Sequence, residues 1–267
     1  MKLKLSITLT VLFAMATTAF GQKEITKTTP ETKTKTEIKT VETKTPAVKM
    51  PTAQEVLAKY VQAIGGRVNY EKTKSRMTKG SVEIPAAGIK GTFENYAAAP
   101  GKLLNKVTLP GIGDIIEGFD GTTAWSINPI QGNRDKQGEE LAQSRLTYNF
   151  YRDINLDKLY PKMEVKGMEK LGDKDVYVLV GTPENLPSET FYFDAKSGLL
   201  LRQDSTVVSP EGKIPTKTFL EDVREVDGVK IPFKIRSILP QFEIIITTTE
   251  VKNNVTVEDA IFTKPKA

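Results

Sequence analysis

Neither cysteine nor histidine occurs among the 267 residues. Those two absences close several kinds of chemistry at once. A Ser-His-Asp triad, a Cys-His pair, a His-ligated zinc or iron and a thiolate metal site all lack a necessary side chain. Without cysteine no disulfide can reinforce the fold even in an oxidising compartment, and no lipidated cysteine can anchor the chain behind a leader. Tryptophan occurs once, at 125. Long apolar runs are scarce as well. The stretch from Leu5 to Phe20 comes nearest, but Ser6, Thr8, Thr10, Thr17 and Thr18 interrupt it, and a bilayer span needs about 20 apolar residues. Lys2 and Lys4 precede this stretch and Ala19-Phe20-Gly21 follows it, which is the layout of a secretory signal with cleavage after Gly21. The sequence therefore predicts export to the periplasm, with the extracellular medium as the less favoured destination. Stable membrane insertion of the remainder is not expected.

The net charge of +5 sits almost wholly in the first fifty residues. Lys2 and Lys4 belong to the leader, and residues 22–50 hold seven lysines against four glutamates. The rest of the chain is neutral, whereas a nucleic-acid binder concentrates Lys and Arg on its folded surface. Residues 22–50 run through Thr-Lys-Thr and Glu-x-Lys repeats with no aromatic residue. So little apolar surface cannot offset the entropy of ordering, and the segment is expected to be a disordered linker. One β domain is expected over 51–267.

That domain opens with a helix signature, since Thr52 and Glu55 have capping-box spacing and Val56, Leu57, Tyr60, Val61 and Ile64 fall on one face before Gly65-Gly66. After residue 73 the texture changes to short runs separated by turn residues. Strands are expected near 75–84, 88–98, 102–109, 113–119, 122–127, 162–171, 174–182, 188–194, 198–208, 215–225, 229–239 and 242–252. Asp227-Gly228 and Lys196-Ser197-Gly198 mark hairpins. Short connections without intervening helices predict an antiparallel meander. Residues 137–152 read as a helix carrying Leu141, Ala142, Leu146 and Phe150, with a further turn over 155–160. About twelve strands with one apolar face outrun what a few helices can cover while the sheet stays flat. The expected class is therefore mainly antiparallel β with a few helices, an incomplete, strongly curved barrel wrapped around them.

Catalytic constellations are sparse. Glu221 and Asp222 are neighbours in a predicted strand, so their side chains diverge. Glu139 and Glu140 open a helix, where acidic residues suit the dipole. Asp173 and Asp175 flank a turn without the Asx-rich loop of a calcium site. Gly111-Ile112-Gly113 continues into no phosphate loop. The sequence predicts no enzyme, no cofactor and no metal.

One ordered set of residues remains. Phe93-x-x-Tyr96-x-x-x-Pro100 is followed by Gly118-Phe119-Asp120-Gly121-x-x-x-Trp125-x-x-x-Pro129, and Glu258-Asp259-x-x-Phe262-Thr263-x-Pro265 closes the chain. This set resembles the LolA/LolB-like superfamily of outer-membrane lipoprotein-sorting proteins over about residues 52–267. The resemblance implies an incomplete barrel closed by helices over an apolar cavity that receives acyl chains. It implies as partners the acyl chains of a lipid or lipoprotein; the alternative reading, independent of the resemblance, is an interaction module whose barrel is filled by its own side chains and whose partner is another envelope protein. Phe93, Leu103, Val107, Leu109, Ile115, Phe119 and Trp125 become cavity or core residues, and Phe191 and Phe193, aligned on one face of their strand, join them. The chain departs from the family at Ala99, where the carrier has an arginine that helps hold its lid, and in lacking the lipidated cysteine of the membrane-anchored receptor.

Overall fold

A computed structural model describes residues 50–265. The predicted signal peptide, and all of the predicted linker except Met50, lie outside the described residues. Helix α1 (Ala53–Ala63) starts as its sequence requires: Thr52 Oγ1 accepts from the Glu55 amide at 3.2 Å, and the Glu55 carboxylate accepts from the Thr52 amide at 2.7 Å. Gly65 ends it at φ 115°, with a position where a Cβ would stand 2.1 Å from the Gly228 carbonyl oxygen. Both the backbone angle and the space thus require glycine there. A second short helix, α2 (Arg67–Lys72), follows; its six residues are too few for a periodicity to show in the sequence.

Thirteen strands then form one antiparallel sheet: β1 (Ser75–Ile84), β2 (Ile89–Ala98), β3 (Lys102–Leu109), β4 (Gly113–Phe119), β5 (Ala124–Asn128), β6 (Gly132–Lys136), β7 (Lys162–Leu171), β8 (Lys174–Thr182), β9 (Glu189–Asp194), β10 (Leu200–Ser209), β11 (Gly212–Val226), β12 (Val229–Ile238) and β13 (Glu243–Asn253). Each pairs with its sequence neighbours, except that β1 pairs with β13 and β6 does not pair with β7. The sheet is consequently an open meander whose first and last strands meet in its middle and whose free edges are β6 and β7. Twelve of these strands match expected runs. Strand β6 was not anticipated, because Gly-Asn-Arg-Asp-Lys contains no apolar residue to alternate; pairing with β5 places it.

Between the free edges the chain makes α3 (Gly138–Thr147), a single 3-10 turn (Arg152–Ile154) and α4 (Leu156–Leu159). The helix expected over 137–152 thus stops five residues early. Its continuation loses two amides to other acceptors: Phe150 N donates to Pro100 O and Tyr151 N to Asn149 Oδ1, both at 3.0 Å. The helical segments pack on one face of the sheet and make it concave there. Among the described residues no helix is long and apolar enough to cross a membrane.

Two main apolar clusters fill the concave side. One gathers Val82, Ile84, Val107, Leu109, Ile115 and Ile244 from the strands alone. The other joins Tyr60 and Ile64 of α1 and Ile154, Leu156 and Tyr160 of the helical segment to Leu179, Phe191 and Phe193. A third, small cluster sets Phe119 and Ala124 against Tyr148.

Candidate functional site

Alternation along each strand fixes what the concave face presents. Register pairs Thr78 with Asn95, Asn95 with Asn105, Asn105 with Glu117, Glu117 with Ser126 and Ser126 with Arg134, giving a continuous polar row across six strands. On the other side of the sheet Gln203, Thr218 and Ser237 form the corresponding row. This polar belt divides the interior. On one side lies the cluster of strand residues, whose margin at Phe93, Ile235 and Ile246 also reaches the cavity. On the other a cavity of about 300 Å³ opens, at the lower end of the range of small-molecule sites.

Ala97, Phe93 and Leu103 line the cavity from β2 and β3, and Leu220, Ile231, Ile235 and Ile246 from β11 to β13. Tyr60 and Ile64 of α1, Tyr70 of α2, and Tyr148, Phe150 and Arg152 of the helical segment cover it. Its exposed wall is mostly apolar in area, although polar side chains such as Arg76, Asn95, Asn149, Asp153, Lys230 and Thr248 also reach it. The covering segment is held by hydrogen bonds as well as by the apolar contacts of Leu146, Ile154 and Leu156. Strand β9 pairs with β10 only as far as Asp204, and beyond that point the Gln143 side chain substitutes for a strand. Its Nε2 donates to Thr206 O at 2.8 Å and its Oε1 accepts from Val208 N at 2.9 Å. Phe150 N on Pro100 O ties the same segment to the β2–β3 turn, beside the Ala99 position.

Two buried ionic clusters flank the cavity. Glu189 Oε2 accepts from Tyr160, from Arg152 Nη2 at 3.1 Å and from Gln203 Nε2 at 2.8 Å. Burial pushes the Glu189 carboxyl above its ordinary value in spite of these donors. Burial pulls the Arg152 guanidinium down, but the facing Tyr160 and Glu189 outweigh it and the guanidinium is held charged more firmly than usual. Across the sheet Lys136 Nζ donates to Glu117 Oε1 at 2.9 Å, and Tyr148 OH to Glu117 Oε2 at 3.1 Å. Burial, reinforced by Glu117, raises the Tyr148 phenol, and burial with Asp153 raises Tyr60 and Tyr70. Desolvation of this kind is endurable only because each charge is paired. The acidic neighbours singled out in the sequence have separate partners: Glu221 pairs with Lys234 and Arg236, Asp222 with Arg224. Among the described residues no three acidic side chains gather as a metal site.

The predicted site residues distribute unevenly. Phe93 and Leu103 line the cavity. Val107, Leu109 and Ile115 lie beyond the polar belt in the packed cluster, the first two with at most 1% of their surface exposed. Phe119 stays concave and meets the Tyr148 ring at 6.0 Å between centroids. Phe191 and Phe193 stack at 6.2 Å, with Tyr160 against the first and Tyr60 against the second, so they support the cavity's cover from behind. Trp125 faces the other way. It pairs with Gly118, whose Cβ would fall 2.1 Å from the indole, and its Nε1 donates to Phe262 O at 2.9 Å. The glycine, tryptophan and closing phenylalanine of the motif thus clamp the chain's end over the convex face.

Arg152, Glu189, Gln143 and Gln203 escaped the sequence reading, because a polar residue in a loop or strand resembles a surface residue until the fold buries it. Gln203 had one available signal: Leu201 and Gln203 break the alternation that a half-exposed strand would show.

No family model matches the sequence, and no curated protein does. Solved structures do. A DUF1329 family protein from Desulfovibrio piger superposes with a TM-score of 0.54 at 14% identity, covering 79% of this chain and 96% of its own. A LolA superfamily protein from Nitrosomonas europaea does so with a TM-score of 0.54 at 14% identity, over 80% of this chain and 99% of its own. At such identities the likeness is one of fold, and by the course of its open meander around inserted helices this chain has the LolA-like fold.

Proposed function

We propose that this chain is a non-enzymatic envelope protein that accommodates the acyl chain of a lipid or acylated protein in the cavity beneath α1 and the 147–153 segment. The observation that supports this most is the cavity itself: about 300 Å³, with most of its exposed wall area apolar. Each buried CH2 contributes about 0.8 kcal/mol, so a long chain gains affinity without any reactive group. Export through the predicted signal and a role in lipoprotein sorting accord with the fold, and the balanced charge of residues 51–267 suits a soluble carrier. Phe93 and Leu103 are the sequence-selected residues in a position to touch the guest.

Native mass spectrometry of the protein purified without detergent, followed by lipid analysis of the denatured sample, tests the reading. Co-purifying acyl species, or saturable binding of a fluorescent fatty-acid probe that Ala97→Phe abolishes in a folded protein, is the expected result. An empty protein that also fails to bind the probe overturns it. That outcome would favour the alternative that the packed cluster beyond the belt suggests, a domain whose interior serves stability and whose function is contact with another envelope protein.

A further inference from the structure

One guanidinium on the cavity wall has donors that the protein uses only in part. Arg76 stands on the concave face of β1, half-buried, and lines the cavity. Its Nε donates to Asn253 Oδ1 at 2.9 Å, the Tyr70 phenol stands beside it, and its guanidinium lies 5.9 Å from the centre of the Phe150 ring. Among the described residues it forms no ion pair, unlike Arg134, Arg152, Arg202, Arg224 and Arg236. Two residues along the same face, Thr78 also lines the cavity, and Asn95 stands directly across from it on β2. Neither side chain has a hydrogen-bond partner among the described residues. A guanidinium fork, a hydroxyl and a carboxamide therefore share one stretch of the wall.

The other charges around the cavity do not cancel this one. Arg152 is matched by Glu189. Asp153, the carboxylate on the lining, accepts from Tyr70 OH at 3.3 Å and is not within ion-pair distance of Arg76. Lys230, also on the lining, adds a second unpaired cation. A half-buried guanidinium with N–H groups to spare favours a carboxylate or phosphate, which it can grip through two parallel bonds. A neutral head would leave those donors unpaired.

Building on the acyl-chain reading above, we infer that the guest is a single-chain amphiphile with an anionic head, carboxylate or phosphate, held by Arg76, Thr78 and Asn95 with its tail against Leu220, Ile231 and Ile235. A neutral ester or alcohol of the same chain is a poor guest. Calorimetric titration of the folded domain with laurate, dodecyl phosphate and dodecanol tests it. At least one anion binds about tenfold or more tightly than dodecanol, as one charge-assisted hydrogen bond suffices to give. Whichever anion binds better identifies the head. Arg76→Gln erases the preference while leaving dodecanol affinity in place, Arg76→Lys keeps part of it, and Asn95→Leu weakens it. Lys158→Gln, a change of equal charge on an exposed lysine away from the cavity, changes nothing. Should dodecanol bind as well as both anions, or should Arg76→Gln lower all three alike, the anionic head is wrong and the acyl-chain reading survives. Should none of the three bind, both fall.

Discussion

The two ends of the barrel interior are built from the same strands yet treat space differently. Beyond the polar belt, Val82, Val107, Leu109 and Ile244 are buried among strand and turn residues, with no helix and no phenol in the cluster. On the near side, the same β1, β2, β3 and β11 present Arg76, Ala97, Leu103 and Leu220 to a cavity roofed by helical segments. Strand pairing closes the first end. The second is closed by side chains and hydrogen bonds: the Gln143 amide on β10, the Glu189 cluster, and four tyrosines, Tyr60, Tyr70, Tyr148 and Tyr160. The cavity end is thus bounded in part by elements outside the sheet, the packed end by the sheet itself.

The largest effect that separates the ends should come from alkali. Tyr60, Tyr70, Tyr148 and Tyr160 all have phenols raised by burial above the ordinary value. In the unfolded chain they ionise first, so the folded state holds more protons and stability falls as pH rises above about 10. Four such groups lose on the order of 5 kcal/mol by about pH 11. Hydrogen exchange should show α1 and α3 opening before β2–β4, and a uniform loss of protection would break the distinction.

Next in size is Arg152→Met. It strands the Glu189 carboxylate and costs about 3–5 kcal/mol, and adding Glu189→Met recovers much of the loss. Chemical denaturation of both variants checks this, and a double variant no better than the single one would remove the ion pair as the cause. Leu109→Ala, in the packed end, costs about 3 kcal/mol, while Leu103→Ala beside existing space costs about half of that or less. Equal losses would mean that the cavity end is as tightly packed as the other. Smallest is Gln143→Ala, which leaves the Thr206 carbonyl and the Val208 amide without their side-chain partner and costs about 1–2 kcal/mol. Its exchange signature should be confined to α3 and the outer half of β10.

Much of the architecture could be read in advance because it rests on local signals. The Thr52 and Glu55 cap, the apolar face of α1, the turn at Asp227-Gly228 and the alternation in Ile231, Phe233 and Ile235 each act over a few residues and came out as expected. Strand β6 and helix α2 did not, since one has no apolar residue and the other no length. The motif from Gly118 to Trp125 and Phe262 led to the correct fold through contacts on the convex face, not through the cavity.

By itself the sequence determined the antiparallel meander, its curvature and the absence of histidine and thiol chemistry, because hydrophobic period, turn residues and composition act on each strand separately. Only tertiary structure decided which apolar residues share a sealed core and which face a cavity, and that Arg152 and Glu189 are buried partners. Register across thirteen strands puts Thr78, Asn95, Asn105 and Glu117 in one row. No single strand contains that information, since it arises from pairing residues far apart in the chain.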